Sequence, residues 1–232
     1  HVSAVMKDSN MYEHIDPKLV GNKQRVLVSD LSGKSNISFK ANELDIKYKD
    51  SKEITGKLVS KVKDLEFEGY QFEAADASLE LILRELSGEY SPFFKVLDSK
   101  VHISYDESGT EKADATLKVL VGDDIEHTAS DGDGPVDALN NALRKALAMF
   151  FPELKDVRLT DYKVRVLNEQ EGTGAKVRVL IESAYEDDSW STIGVSKNII
   201  EASRQALSDS FNYRLAKLSK WKINNKKSLQ LS

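Results

Sequence analysis

Apolar positions change their spacing once along this chain, near Pro92, and the change separates a helical part from a part built of strands and helices. Upstream, Ile54, Leu58, Val62 and Leu65 recur at three- and four-residue intervals after Ser51, which predicts a helix capped by that serine. Ala75, Leu79, Ile82, Leu83 and Leu86 keep the same period and predict a helix from about Glu73 to Leu86, stopped by Gly88. A shorter helix capped by Ser32 or Ser35 precedes both, and residues 1–30 read as irregular, with turn signals at Asp16-Pro17 and Gly21-Asn22. Downstream, alternation and β-branched residues predict strands over 93–105, 113–121 and 125–129 and a helix from Pro135 to about Phe151. Strands over 162–167, 175–183 and 190–195 follow, then a helix from about Ser196 to Leu218.

The second part repeats itself. Ala115 and Ala175 are 60 positions apart, as are Val119 and Val179, Leu120 and Leu180, Gly134 and Gly194, Ala142 and Ala202, Ala146 and Ala206, Leu147 and Leu207, and Phe151 and Phe211. Each unit is three strands and one helix. The expected fold is α+β: a helical linker subdomain over 31–90, then a domain of two repeated βββα units over 91–218, with 1–30 ahead of them and a basic tail at 219–232. A three-stranded sheet with one helix closes little core alone, so the units should pair, and their remaining open faces favour a homodimer.

Composition narrows the function classes. Apolar residues make up 40% and charged residues 31%, an ordinary globular balance, and the net charge of −5 argues against nucleic acid as a partner. Arg214, Lys217, Lys220, Lys222, Lys226 and Lys227 form one basic stretch, read as a solvated helix end. Without cysteine there is no disulfide, thiolate zinc site or cysteine nucleophile. No stretch approaches the roughly 18 apolar residues of a membrane span. Opening at His1 without methionine, the chain reads as a piece cut from a longer protein.

Two places could carry chemistry. The loop Ala129-Ser130-Asp131-Gly132-Asp133-Gly134-Pro135-Val136 leaves a strand and opens a helix. Its glycines allow close backbone approach, Pro135 suits the first helical position, and the helix N-terminus offers N–H groups to a carboxylate or phosphate. At the 60-residue offset its counterpart is Thr192-Ile193-Gly194-Val195-Ser196. The same features also describe an ordinary strand-to-helix turn. The second place is His1 with Tyr12, a possible base and orienting hydroxyl. His14, His102 and His127 lack metal-ligand spacing, and phosphate-loop, nucleophile-elbow and zinc-protease patterns are absent.

The run His1-Val2-Ser3-Ala4-Val5, Tyr12 to Pro17, Leu19 to Asn22, Ser29 to Asn36 and Gly69 to Ala75 resembles the segment after the barrel in the citramalate synthase family. Gly132 to Leu139 and Leu159 to Val164 resemble that family's regulatory part, and the likeness extends to about Leu215. The resemblance implies a cytoplasmic acyltransferase of isoleucine biosynthesis that condenses acetyl-CoA with pyruvate. Its (β/α)8 barrel, with the divalent metal, would lie outside this chain, so this chain holds no cofactor of its own. It further implies His1 and Tyr12 as catalytic helpers, dimerisation, and an end-product amino acid bound between the repeats. Isoleucine would then sit by Asp131, Gly132, Gly134, Pro135, Val136, Ile193, Gly194, Val195 and Ser196. The alternatives are the same region of a 2-isopropylmalate synthase, with leucine as effector, and a stand-alone amino-acid-binding module.

Overall fold

The computed structural model describes Lys40, Leu44 and residues 52–229, with side chains from 56 to 219 apart from Glu169. His1, Tyr12, the expected first helix except at Lys40 and Leu44, and the capping Ser51 lie outside the described residues.

Helix α1, Lys52–Glu68, turns Leu58 and Val62 inward at one-turn spacing. A 3-10 turn, Phe72–Ala74, buries Phe72, and the extended backbone of Ala75 then separates it from α2, Asp76–Ser87. That break moves the start of α2 from the expected Glu73 to Asp76. Gly88, at φ 76°, ends α2 in the left-handed conformation that glycine adopts without a Cβ penalty. Leu58, Val62, Phe72, Ala75, Leu79 and Leu83 form one cluster, and Ile193 of the second βββα unit completes it.

The first unit is the antiparallel sheet β1 (Lys95–Tyr105), β2 (Glu111–Val121), β3 (Asp124–Gly132), followed by α3, Pro135–Leu147. The second is β4 (Arg158–Val166), β5 (Val177–Tyr185), β6 (Asp188–Ser196), followed by α4, Ile199–Leu229. Alternation decides the faces: Ala113, Ala115, Leu117 and Val119 of β2 point at α3 while Lys112 and Lys118 face outward. Helix α3 ends at Leu147 rather than Phe151, and β4 begins four residues before the expected Tyr162. Helix α4 continues past Leu218 into the basic tail.

The two units match at an offset of 64, not 60. Thr128 Oγ1 donates to the carbonyl of Ala142 at 3.0 Å, and Thr192 Oγ1 to that of Ala206 at 2.8 Å. Leu117 pairs with Thr128 across its sheet as Ile181 pairs with Thr192. The Ala138 N–H bonds to the Gly134 carbonyl as that of Ala202 bonds to Asn198. A slip of four residues is close to one helical turn and an even number along a strand, so it leaves every apolar face in place.

Both units share one core. Leu143, Leu147, Leu207 and Phe211 meet in it, Arg144 lies over the Phe211 ring at 5.1 Å, and Phe93 packs edge-on against Phe151.

Candidate functional site

The turn before α3 is built by two glycines with different tasks. A Cβ on Gly132 would lie 2.1 Å from the Ala138 nitrogen, so its lack of a side chain lets α3 start against the end of β3. Gly134 has extended backbone, φ −169° and ψ 174°, and no atom stands within 4 Å of where its Cβ would be. It therefore borders open space. Its side chain cannot cap the helix, Pro135 has no N–H to offer, and the half-exposed Val136 follows. Acidic groups gather beside it. Asp137 Oδ2 accepts the Asp133 N–H and the Asn141 amide, each at 3.1 Å, and Asn141 also donates to the Asp131 carbonyl at 3.2 Å. The turn thus combines a helix N-terminus of positive polarity with the Asp137 carboxylate, which holds the Asp133 N–H and Asn141 in place.

The second unit does not repeat this arrangement. Residues 192–196, set against the α3 loop by the 60-residue offset, are the end of strand β6, in line with the strand expected over 190–195. Ile193 is buried among the linker helices, and a Cβ on Gly194 would fall 2.0 Å from the Ala202 carbonyl oxygen. The Val195 N–H donates to Gln205 Oε1 at 3.1 Å. At an offset of 64 the true counterpart of the α3 turn is the stretch 196–199, and there side chains satisfy the helix end. Ser196 Oγ accepts the Asn198 N–H at 3.1 Å, and Asn198 Oδ1 accepts that of Ile200 at 2.9 Å. Strand β3 packs on β2 and α3, whereas β6 packs on β5, α4, α2 and the 3-10 turn. The Gly132–Pro135 and Ile193–Ser196 segments thus sit in different surroundings, the first at the open end of β3 and the second beneath the linker.

The linker binds the second unit through a polar seam that the sequence did not announce. Ser78 Oγ accepts the Ile193 N–H at 3.1 Å and donates to Asp209 Oδ2 at 2.7 Å, joining α2, β6 and α4 at one atom. Burial pushes the Asp209 carboxyl up to about 7. Tyr70 donates to Gln205 at 3.3 Å, and its hydroxyl is pushed up to about 12, first by burial and then by Asp209. Tyr213 donates at 3.1 Å to Glu80, which pairs with Arg84 on the next turn of α2. Arg178 donates from Nε to the Gly69 carbonyl at 2.6 Å and from Nη1 to Gln71 at 2.7 Å. The one sequence signal for this seam is polar residues at helix positions where the apolar stripe should continue, Ser78 between Ala77 and Leu79 being the clearest. Among the described residues no group of His, Cys, Asp or Glu is arranged to hold a metal ion, and no helix is long and apolar enough to cross a membrane.

Comparison with known proteins places these features in context. The family described as the LeuA allosteric (dimerisation) domain matches residues 73–215, and the homocitrate synthase post-HMGL domain-like family matches residues 1–69. An (R)-citramalate synthase of Geobacter sulfurreducens is 50% identical over 222 residues, covering 94% of this chain and 41% of its own length. That of Aquifex aeolicus is 49% identical, with 94% and 41% covered, and that of Methanocaldococcus jannaschii 30% identical, with 93% and 42% covered. The chain thus spans about 41% of the length of these relatives.

Proposed function

This chain belongs to the LeuA allosteric (dimerisation) domain family, and from that premise we propose that it is the linker and feedback-regulatory region of an acyltransferase condensing acetyl-CoA with pyruvate to citramalate. The observation that carries this reading is the coverage: similarity to several citramalate synthases runs over 94% of this chain and 41% of theirs. In this reading the enzyme is a cytoplasmic homodimer of isoleucine biosynthesis. Residues 31–90 are its linker and 91–218 its regulatory dimerisation domain. The barrel with the divalent metal and both substrate sites lies outside this chain, so the chain alone turns over no acetyl-CoA. His1 and Tyr12 belong to the catalytic contribution in this proposal, reaching the barrel's mouth.

The effector is isoleucine, held at the turn before α3. Its carboxylate takes the free N–H groups behind Pro135, and its ammonium takes the Asp131, Asp133 and Asp137 group. Gly134 leaves the room and Val136 meets the side chain. Ile193, Gly194, Val195 and Ser196 take part indirectly, because β6 carries both the second unit and the docked linker. Bound isoleucine acts only through unequal affinity for two arrangements of this assembly.

Titration of the chain by calorimetry tests the effector. Isoleucine should bind best, with leucine and valine weaker, since one methylene in an apolar pocket is worth about 1–3 kcal/mol. Tighter leucine binding would favour the isopropylmalate reading, and no heat with any branched-chain amino acid would refute the placement.

A further inference from the structure

The outward face of the second sheet carries a charge arrangement that the first sheet avoids. In the first sheet His102 stands across from Asp114, with Nδ1 and Oδ1 3.2 Å apart. In the second, the residues at the same place in the strands are Arg165 and Arg178, directly opposite each other. Like charges at facing positions cost a sheet stability. Among the described residues neither guanidinium has a carboxylate within ion-pair distance. Burial, and then Arg165 beside it, pull Arg178 below the ordinary arginine range. Arg178 spends Nε and Nη1 on Gly69 and Gln71, which leaves Nη2, while the exposed Arg165 keeps its whole fork of donors.

Both arginines open onto a cavity of about 380 Å³ between the linker turn and the sheet. Its floor is apolar, made by Leu180 and the buried Ile193, with Gln71 on the linker side and Lys163 at the rim. Lys163 is already paired with Asp161. The uncompensated charge is therefore that of the two arginines, set against an apolar wall. A free amino acid fits this badly, since its ammonium would face cations.

We propose that the crevice between the linker turn and the second sheet is a second ligand site, which takes a small organic dianion with a short apolar substituent. A methyl-bearing dicarboxylate fits: Arg165 and Arg178 take the carboxylates, and Leu180 and Ile193 take the methyl group. Only the link to metabolism rests on the proposed function, in which the condensation product is such a molecule; the site would then report product to the linker at Gly69 and Gln71.

The test is calorimetry on the 232-residue chain with 2-methylmalate, inorganic phosphate and isoleucine, for the wild type and Arg165→Gln. Among the described residues the Arg165 side chain makes no hydrogen bond, and glutamine keeps the backbone pairing with Arg178, so the variant should fold, which circular dichroism checks. The expected result is saturable binding of 2-methylmalate, weakened about tenfold or more in Arg165→Gln, with isoleucine affinity unchanged. No saturable heat with 2-methylmalate at millimolar concentration, or equal affinity in the variant, overturns the site. Phosphate binding as tightly as 2-methylmalate overturns the role of the apolar wall. Loss of isoleucine binding alone, with 2-methylmalate still bound, counts against the effector reading and leaves this site standing.

Discussion

Replacing Gly194 with alanine should lower the melting temperature by roughly 6–12 °C, while the same change at Gly134 should leave it almost unmoved. A Cβ on Gly194 lies 2.0 Å from the Ala202 carbonyl oxygen and 2.9 Å from its carbon. Those atoms belong to the backbone of α4, so no side chain can rotate away, and the helix must lift off β6. Overpacking of this kind costs about 3 kcal/mol or more when backbone has to move. The lift would also strain the hydrogen bond from Thr192 to Ala206, one turn further along α4. At Gly134 the added methyl enters open space on a backbone that any residue adopts, and the change should stay within about 0.5 kcal/mol. Thermal unfolding of both variants beside the wild type decides it; equal losses at the two positions would contradict the distinct roles given to these glycines.

Asp209→Asn should stabilise the chain at pH 8 by about 2–4 kcal/mol and leave it unchanged near pH 4. Asp209 is partly buried, and that burial raises its carboxyl from 3.8 to about 7. A raised carboxyl binds its proton more tightly when folded than when unfolded. Between about pH 4 and 7 the unfolded chain has therefore lost a proton that the folded chain keeps, and stability falls as pH rises. Above pH 7 the full penalty applies, on the order of 4 kcal/mol for this difference. Asparagine keeps an oxygen to accept from Ser78 and carries no charge, although its amide protons need partners, which trims the gain. Denaturant unfolding across pH 4–8 measures this directly. A variant less stable than wild type at pH 8 would show that the carboxylate is needed as an anion at the seam.

The element order was legible in the sequence because periodicity changes at Pro92 and because Gly88 marks the end of α2. The duplication was legible too, but its register was not. A four-residue slip returns alanines and leucines to the same helix face and strand residues to the same sheet face, so apolar identities such as Ala142 with Ala202 accumulate at the wrong offset. The chance alignment of Gly134 with Gly194 then gave the end of the expected 190–195 strand the role of a second ligand loop. Packing separates them: one glycine borders empty space and the other abuts a carbonyl. The linker seam was invisible for another reason. Ser78 meets Asp209 across 131 positions and Arg178 meets Gly69 across 109, and no local pattern encodes such pairs.

The most direct test of the central claim is the isoleucine inhibition curve of the full-length enzyme, wild type beside Gly134→Val, followed as acetyl-CoA consumption. Valine at this extended position should fold, but its branched Cβ enters the space assigned to the effector. Wild type should be inhibited, the variant should need about tenfold more isoleucine or escape inhibition, and turnover without isoleucine should be largely retained. Superimposable inhibition curves would contradict it.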